Sequence, residues 1–415
     1  MAKRARTGSM RTIVIVVLLL FLAIGTVLAA KQLTQSSSSI NLPLNPFVRS
    51  SPLTNSSSLP MSSEGQRVGP SPDFNLQTPA GFELGVFARD LGSPRDVVFS
   101  PGGTLLVSIP KRNQVVALPD TDQDGVADET VIVAQNLNNP HGITFYQNKL
   151  FIIEETQAVR YSWNEENLTA SQEKKILFQL PPGGNHTTRT VAFNSQGEMF
   201  ISIGSTCNVC YENHSWLAAV ITSDSEGNNP RLFAKGLRNA PFITVNPLTD
   251  QLWGTEMGRD YLGDNAPPDE INIIQSNRDY GWPLCWGNKI HDTDFDKNQY
   301  IRDPCANTEA PLYGIAAHSA PLGLTFIQSD QFPQEMQNDL LVAYHGSWNR
   351  SSRIGYKVVH LQLNGNNVVK EEDFLTGFLV RQQVLGRPVD LAFDPFGSLF
   401  VSDDATGMIY KIIGQ

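Results

Sequence analysis

Basic residues are in short supply: 31 Lys and Arg stand against 41 Asp and Glu, a formal net charge of −10. Four of those cations, Lys3, Arg4, Arg6 and Arg11, lie ahead of Thr12, so the rest of the chain is more acidic still. An acidic body excludes nucleic-acid backbone as its main ligand. Charge of either sign is sparse at 17%, while Gly (32) and Pro (26) are plentiful. That balance argues against helical bundles and for many short strands joined by tight turns. Cysteine is scarce: Cys207, Cys210, Cys285 and Cys305 are all there is. Tyr211 comes after Cys210, so the haem-attachment pattern CxxCH is missing and the chain has no covalent haem relay. Two spaced cysteine pairs without histidine partners make a weak zinc pattern. Disulfides are the expected state and zinc the alternative; the spacing alone does not give the pairing.

One long apolar run breaks the pattern, from Ile13 to Ala30, interrupted only by Gly25 and Thr26. Residues 1–30 read either as a secretory signal peptide ending at the small residues Val27-Leu28-Ala29 or as an uncleaved membrane anchor. Either reading exports the remainder of the chain, so the protein is expected to be extracytoplasmic, secreted or tethered by residues 13–30. Membrane contact would run through that segment only. Residues 31–75 are rich in Ser, Asn and Pro and read as a flexible tether. The domain is expected over 76–415.

Within it a unit recurs: an apolar strand, a Pro/Gly/Asn turn, then a second apolar strand. Copies begin near Ser93, Asn139, Thr188, Asn239, Ala320 and Arg387. Third strands often succeed these, as in Gln114–Leu118 and Met408–Ile412. Six such units at irregular spacing predict an all-β fold, a six-bladed β-propeller, because a single blade cannot bury both faces and must stack radially. A strand over 81–86 is expected to close the ring on the last blade. Residues just ahead of each first strand face the central channel in this architecture. Those positions hold Arg95, His141, Thr188, Asn239, Pro321 and Arg387, and they are mostly polar. Ordinary turn chemistry is the alternative for any one of them.

The densest polar segment runs from Gly236 to Trp286. It contains Leu237-Arg238-Asn239, Glu256-Met257-Gly258, Asp269-Glu270-Ile271-Asn272 and Tyr280-Gly281-Trp282-Pro283. These four pieces, in this order, resemble the glucose/sorbosone dehydrogenase family, β-propellers that use pyrroloquinoline quinone (PQQ). The resemblance extends over 81–413. It implies PQQ-dependent oxidation of an aldose, sugar alcohol or sorbosone-like substrate, with electrons passing to an external acceptor.

The resemblance also implies roles for single residues. His186, in a glycine-rich loop ahead of the third unit, matches the general base. Arg238 matches the cation at the quinone carbonyls, and Asn239 a cofactor ligand. Gly258 and Arg259 match the turn whose carbonyls hold Ca²⁺ against PQQ, with Asp260 an extra contact. His141, His318, Arg387 and the segment His345-Gly-Ser-Trp348-Asn-Arg350 offer donors and an aromatic face for a flat tricarboxylate. Three positions depart from the family pattern. Asn185 and Ser205 stand where glucose-oxidising members have Asp, and Arg259 stands where Pro is common. The missing Asp puts the tuning of the base in question. Ordinary readings stand beside these roles: Arg238 as a buried ion pair with Asp269 or Glu270, Trp348 as packing.

A separate stretch, Asp120-Thr-Asp122-Gln-Asp124-Gly125-Val-Ala-Asp128, alternates aspartates ahead of a glycine. It reads as a short structural Ca²⁺ loop or a solvated acidic turn. Val131 stands where an EF-hand would have Glu, which excludes a helix–loop–helix sensor. Two other functions fit a six-bladed propeller. One is a Ca²⁺-dependent lactonase or esterase recruiting Asn239, Asp260 and Asp390. The other is a non-catalytic ligand-binding propeller.

Overall fold

The structure, a computed structural model, describes residues 66–414. The apolar run at 13–30 and most of the tether lie outside the described residues. No helix among the described residues is long and apolar enough to cross a membrane.

Six antiparallel blades make up the body, five of them four-stranded and the second carrying a short fifth strand. Their innermost strands are Val97–Phe99, Ile143–Tyr146, Arg189–Phe193, Ile243–Val245, Pro321–Phe326 and Pro388–Phe393. These six touch one another in a closed circuit, the last meeting the first. The strands are short, rich in Val, Ile and Phe, and end at turns that the sequence specifies. Gln147 and Asn148, both at positive φ (48° and 57°), make the two-residue hairpin of the second blade.

Each blade is apolar on both faces, so hydrophobic cores form between blades. Six clusters of buried side chains result, one for each adjacent pair. The first-to-second pair, for example, joins Leu106 and Val115 to Leu150 and Val159. At the channel, polar side chains tie neighbouring blades together. Asp96 accepts from the Ile143 amide at 2.9 Å, and Asp390 accepts from the Val97 amide at 3.0 Å. Thr255 donates to the Leu322 carbonyl at 2.8 Å.

The ring closes through the chain's two ends. Phe82–Ala88 forms the outer strand of the sixth blade and pairs antiparallel with Met408–Gly414, Phe82 opposite Gly414 and Val86 opposite Tyr410. This is the closure expected from the sequence. Residues 66–75, read as the end of the tether, lie against this closing blade. The Val86 amide donates to the Pro70 carbonyl at 2.8 Å, and Phe74 packs edge-on to Phe378. Both cysteine pairs are disulfides, Cys207–Cys210 and Cys285–Cys305, so their sulfurs are not available to zinc.

Candidate active site

Loops at one end of the ring bring His186, Arg238 and Asn239 together. His186 comes after a Gly-Gly turn and sits against Gly204, where a Cβ would fall 2.5 Å from the His186 Cβ and 2.9 Å from Asn239 Oδ1. Only glycine lets the imidazole and the amide approach the backbone this closely. His186 Nδ1 lies 3.0 Å from the Ser205 carbonyl oxygen and 2.9 Å from Ser205 Oγ. A carbonyl oxygen only accepts, so Nδ1 carries the hydrogen. Ser205 Oγ donates its own hydrogen to the Cys207 carbonyl at 2.7 Å, which leaves it too as an acceptor toward Nδ1. Nε2 is therefore the unprotonated nitrogen.

Burial, and then the nearby Arg238 charge, push the His186 pKa from 6.5 down to about 3. The imidazole is thus neutral and able to accept a proton. Because the folded value lies below the unfolded one, the unfolded chain takes up the proton first as pH falls. This contribution to stability is lost between pH 6.5 and about 3. In cofactor-free protein, the His186 imidazole NMR signal is expected to titrate near pH 3 and show no break near 6.5. A break near the ordinary histidine value would mean a solvated, untuned ring.

Arg238 is buried and uses all three of its nitrogens. Nε donates to the Asn208 carbonyl (2.9 Å), and Nη1 to the Gly258 carbonyl (3.0 Å) and the Met257 carbonyl (3.2 Å). Nη2 meets Asn208 Oδ1 (2.9 Å) and Asp260 Oδ2 (3.0 Å). Asn208 lies inside the Cys207–Cys210 ring and bonds the Asp260 amide through the same Oδ1 at 2.8 Å. The ion-pair partner is Asp260, not the Asp269 or Glu270 of the alternative reading. Asp269 instead accepts the Gly258 amide (2.9 Å) and the Ala320 amide (2.8 Å), fastening the turn to the fifth blade. Burial raises its pKa to about 7. Gly258 is required at that turn, since a Cβ would come within 2.7 Å of Pro267.

A second polar group occupies the channel where the first and sixth blades meet. Arg95 pairs with Asp404 at 2.8 Å, and His345 Nε2 donates to the other Asp404 oxygen at 2.9 Å. Arg387 Nη2 donates to His345 Nδ1 at 2.8 Å, which fixes that tautomer. Burial lowers the His345 pKa to about 4, so it too is neutral. Burial alone would raise the Asp404 carboxyl, but His345 and the two arginines hold it below its usual range. His141 is fully enclosed, edge-on to Phe242, and neither ring nitrogen has a partner. Burial, with Arg95 nearby, also keeps it neutral.

A family model described as TrAA12-like matches residues 76–415. The chain belongs to the TrAA12-like family. The resemblance read from residues 237–283 therefore stands. Among relatives of this TrAA12-like chain, the aldose sugar dehydrogenase YliI of Escherichia coli K12 is 26% identical over 275 residues, 61% of this chain and 68% of that one. The PQQ-dependent sugar dehydrogenase of Hypocrea jecorina is 24% identical over 391 residues, 80% and 88% of the two chains. The fold is similar to that of the holo pyranose dehydrogenase PQQ domain from Coprinopsis cinerea, with a TM-score of 0.70 and 21% identity. The match covers 83% of this chain and 98% of that one.

The residues present suit an anionic, planar group such as PQQ. Arg387 Nε and both nitrogens of His141 are buried polar atoms without partners, and Asn239 Oδ1, also unpartnered, is an acceptor for a donor on the bound group. Arg95 and Arg387 supply charge beside them. The Ca²⁺ turn is a poorer fit as arranged. The Gly258 carbonyl and the Asp260 carboxylate already hold the Arg238 guanidinium, and the Arg259 side chain turns away to Asp292 at 2.9 Å. A divalent ion there would face the fixed Arg238 charge.

The other predicted residues make contacts of their own. His318 Nε2 donates to the Gly263 carbonyl at 2.8 Å. Arg350 reaches the carbonyls of Asp264 and Ala317. Trp348 stands at the rim, 67% exposed. Asp120, Asp122 and Asp124 gather at an exposed turn on the outer part of the first blade, whereas Asp128 turns to the amide and hydroxyl of Thr121 at 2.8 and 2.6 Å. Asp120 spends its oxygens on the Asp124 and Gly125 amides.

Three contributors escaped the sequence reading. Asp404 and Asn208 carried no motif. Arg189, fully buried, donates to the His186 carbonyl at 2.9 Å, and its only signal was a cation opening an apolar strand.

Proposed function

We propose that the chain is a PQQ-dependent sugar dehydrogenase, with His186 as the general base. The observation that carries this reading is the His186–Ser205 arrangement, which presents a neutral Nε2 near Arg238 and the unpartnered Asn239 Oδ1. PQQ, when bound, supplies the quinone that accepts a hydride from the substrate carbon. His186 Nε2 takes the proton of the hydroxyl on that same carbon, so the substrate leaves as a carbonyl compound or lactone. Arg238, held rigid by its hydrogen bonds, stabilises negative charge that develops opposite it. Asn239, His141, Arg95 and Arg387 would hold the cofactor, His345 positioning Arg387.

Electrons would pass on to an external acceptor, since no haem motif is present. An extracytoplasmic setting, secreted or tethered through 13–30, fits the two disulfides. The lactonase alternative loses support because its carboxylates are engaged. Asp260 binds Arg238, and Asp390 binds the neighbouring blade.

PQQ is titrated into the purified protein with and without Ca²⁺, following absorbance and dye-coupled oxidation of aldoses and polyols. Saturable binding with turnover is expected. No binding at tens of micromolar PQQ would end this reading and turn attention to lactones. A dependence on Ca²⁺ would show that the ion contributes to cofactor binding or turnover.

A further inference from the structure

Two aromatic side chains stand exposed at the mouth of this site. Tyr261 is 71% and Trp348 67% exposed, their ring centroids 6.0 Å apart and their planes at 84°. They belong to different blades, and the loops that carry them are pinned together. Asn349 Nδ2 donates to Asp260 Oδ1 at 3.3 Å, the Ser351 amide to Asp264 Oδ1 at 3.0 Å, and Arg350 Nη2 to Asn265 Oδ1 at 3.4 Å. The backbone of Tyr261 sits at φ 72°, a region that bulky residues seldom adopt and that persists only where the surroundings impose it. A rigid pair of rings held open to water on braced loops is poorly explained by packing. It is the kind of surface that takes a ligand.

The chemistry around the rings narrows the ligand. The Asp260 carboxylate is paired with Arg238, and the Asp264 carboxylate accepts the Ser351 amide and hydroxyl while Arg350 holds the Asp264 carbonyl, so both acidic side chains are turned into the loop braces. The groups still free are aromatic faces, an indole N–H and amides, which suit a neutral sugar ring: C–H faces against the rings, hydroxyls to the polar edge. The platform is not the reacting position. Between Arg238 and Asn349 stands the Asp260 carboxylate, with a hydrogen bond on each side of 3.0 and 3.3 Å. A ring over Tyr261 and Trp348 is therefore a neighbour of the one at His186.

We infer that Tyr261 and Trp348 form a second sugar position, and that the substrate is a disaccharide or longer. This rests on the dehydrogenase reading for the reacting ring but not for the binding itself. The test has two arms. In cofactor-free protein, tryptophan fluorescence is titrated with cellobiose, maltose and glucose. A disaccharide is expected to bind about tenfold more tightly than glucose, an advantage lost in Trp348→Ala and Tyr261→Ala and restored in Trp348→Phe. In PQQ-loaded protein, the ratio of kcat/KM for the disaccharide over glucose should fall about tenfold in Trp348→Ala.

Equal affinity for disaccharides and glucose would overturn the inference. So would a Trp348→Ala effect on PQQ affinity that accounts for the whole change, which would return Trp348 to the cofactor. If PQQ does not bind at all, the dehydrogenase reading falls and the fluorescence arm still decides the sugar position.

Discussion

Replacing His186 with alanine is expected to lower dye-coupled turnover by about 10²–10⁴-fold while PQQ still binds. The size reflects the contribution of a positioned base, and the selectivity reflects the contacts. The His186 side chain touches Ser205 and the Gly204 backbone, and no blade-to-blade bond depends on its ring. His186→Ala removes the proton acceptor and leaves Arg238, Asn239 and the Arg95–Asp404–His345–Arg387 group in place. Ser205→Ala is the informative companion. It deletes one of the two acceptors at Nδ1 but leaves the Ser205 carbonyl, which alone fixes the tautomer. Its loss of rate should be far smaller than that of His186→Ala. Equal losses in the two variants would place the tuning in the hydroxyl and contradict the carbonyl argument. Loss of PQQ binding in His186→Ala would make His186 a cofactor ligand instead of a base.

The Ser205 case shows where sequence reading succeeds and where it runs out. A serine in the position of an acidic family residue looked like a missing part. In space the orienting group is a backbone carbonyl, which every residue carries, so the substitution is invisible to a side-chain comparison. The propeller itself was legible because a period of apolar strands and turn residues is a local property repeated six times. The same holds for the closing strand, expected over 81–86 and found at 82–88, and for the placing of Arg95 and Arg387 ahead of their first strands.

Long-range partners were not legible. Asp404 answers Arg95 from the far end of the chain, and only ring closure brings the two together. The alternative reading of Arg238 paired it with Asp269 or Glu270, its motif neighbours. Strand alternation instead sends Asp269 to the backbone of the Gly258 turn, and it sets Glu270 directly opposite Glu256 in the ladder. The turn itself then delivers Asp260. Asn208, which completes the Arg238 cage, is fixed by a disulfide loop whose shape no spacing rule describes.

Arg238→Ala is expected to damage both stability and function, and Arg238→Lys separates the two. The guanidinium answers the Asn208, Met257 and Gly258 carbonyls, the Asn208 amide oxygen and the Asp260 carboxylate. Truncation leaves that carboxylate, 17% exposed, facing an uncompensated cluster of oxygens. Breaking a buried pair in this way costs about 3 kcal/mol or more, so a clear fall in the denaturant midpoint is expected. Lysine keeps the charge but has one nitrogen on a flexible stem, and it cannot span five acceptors spread over two separate segments. Arg238→Lys should therefore recover part of the stability. It should still lose about 10²–10³-fold in turnover, because the Gly258 turn and the cation above it would no longer be fixed relative to His186. Added guanidinium ion should restore some activity to Arg238→Ala if charge placement is the cause. If Arg238→Lys regains full turnover, the planar cage is structural ornament and only the charge matters at this position. If it regains neither stability nor rate, the cage is what holds the Gly258 turn, and the electrostatic role assigned to Arg238 is not needed to explain the loss.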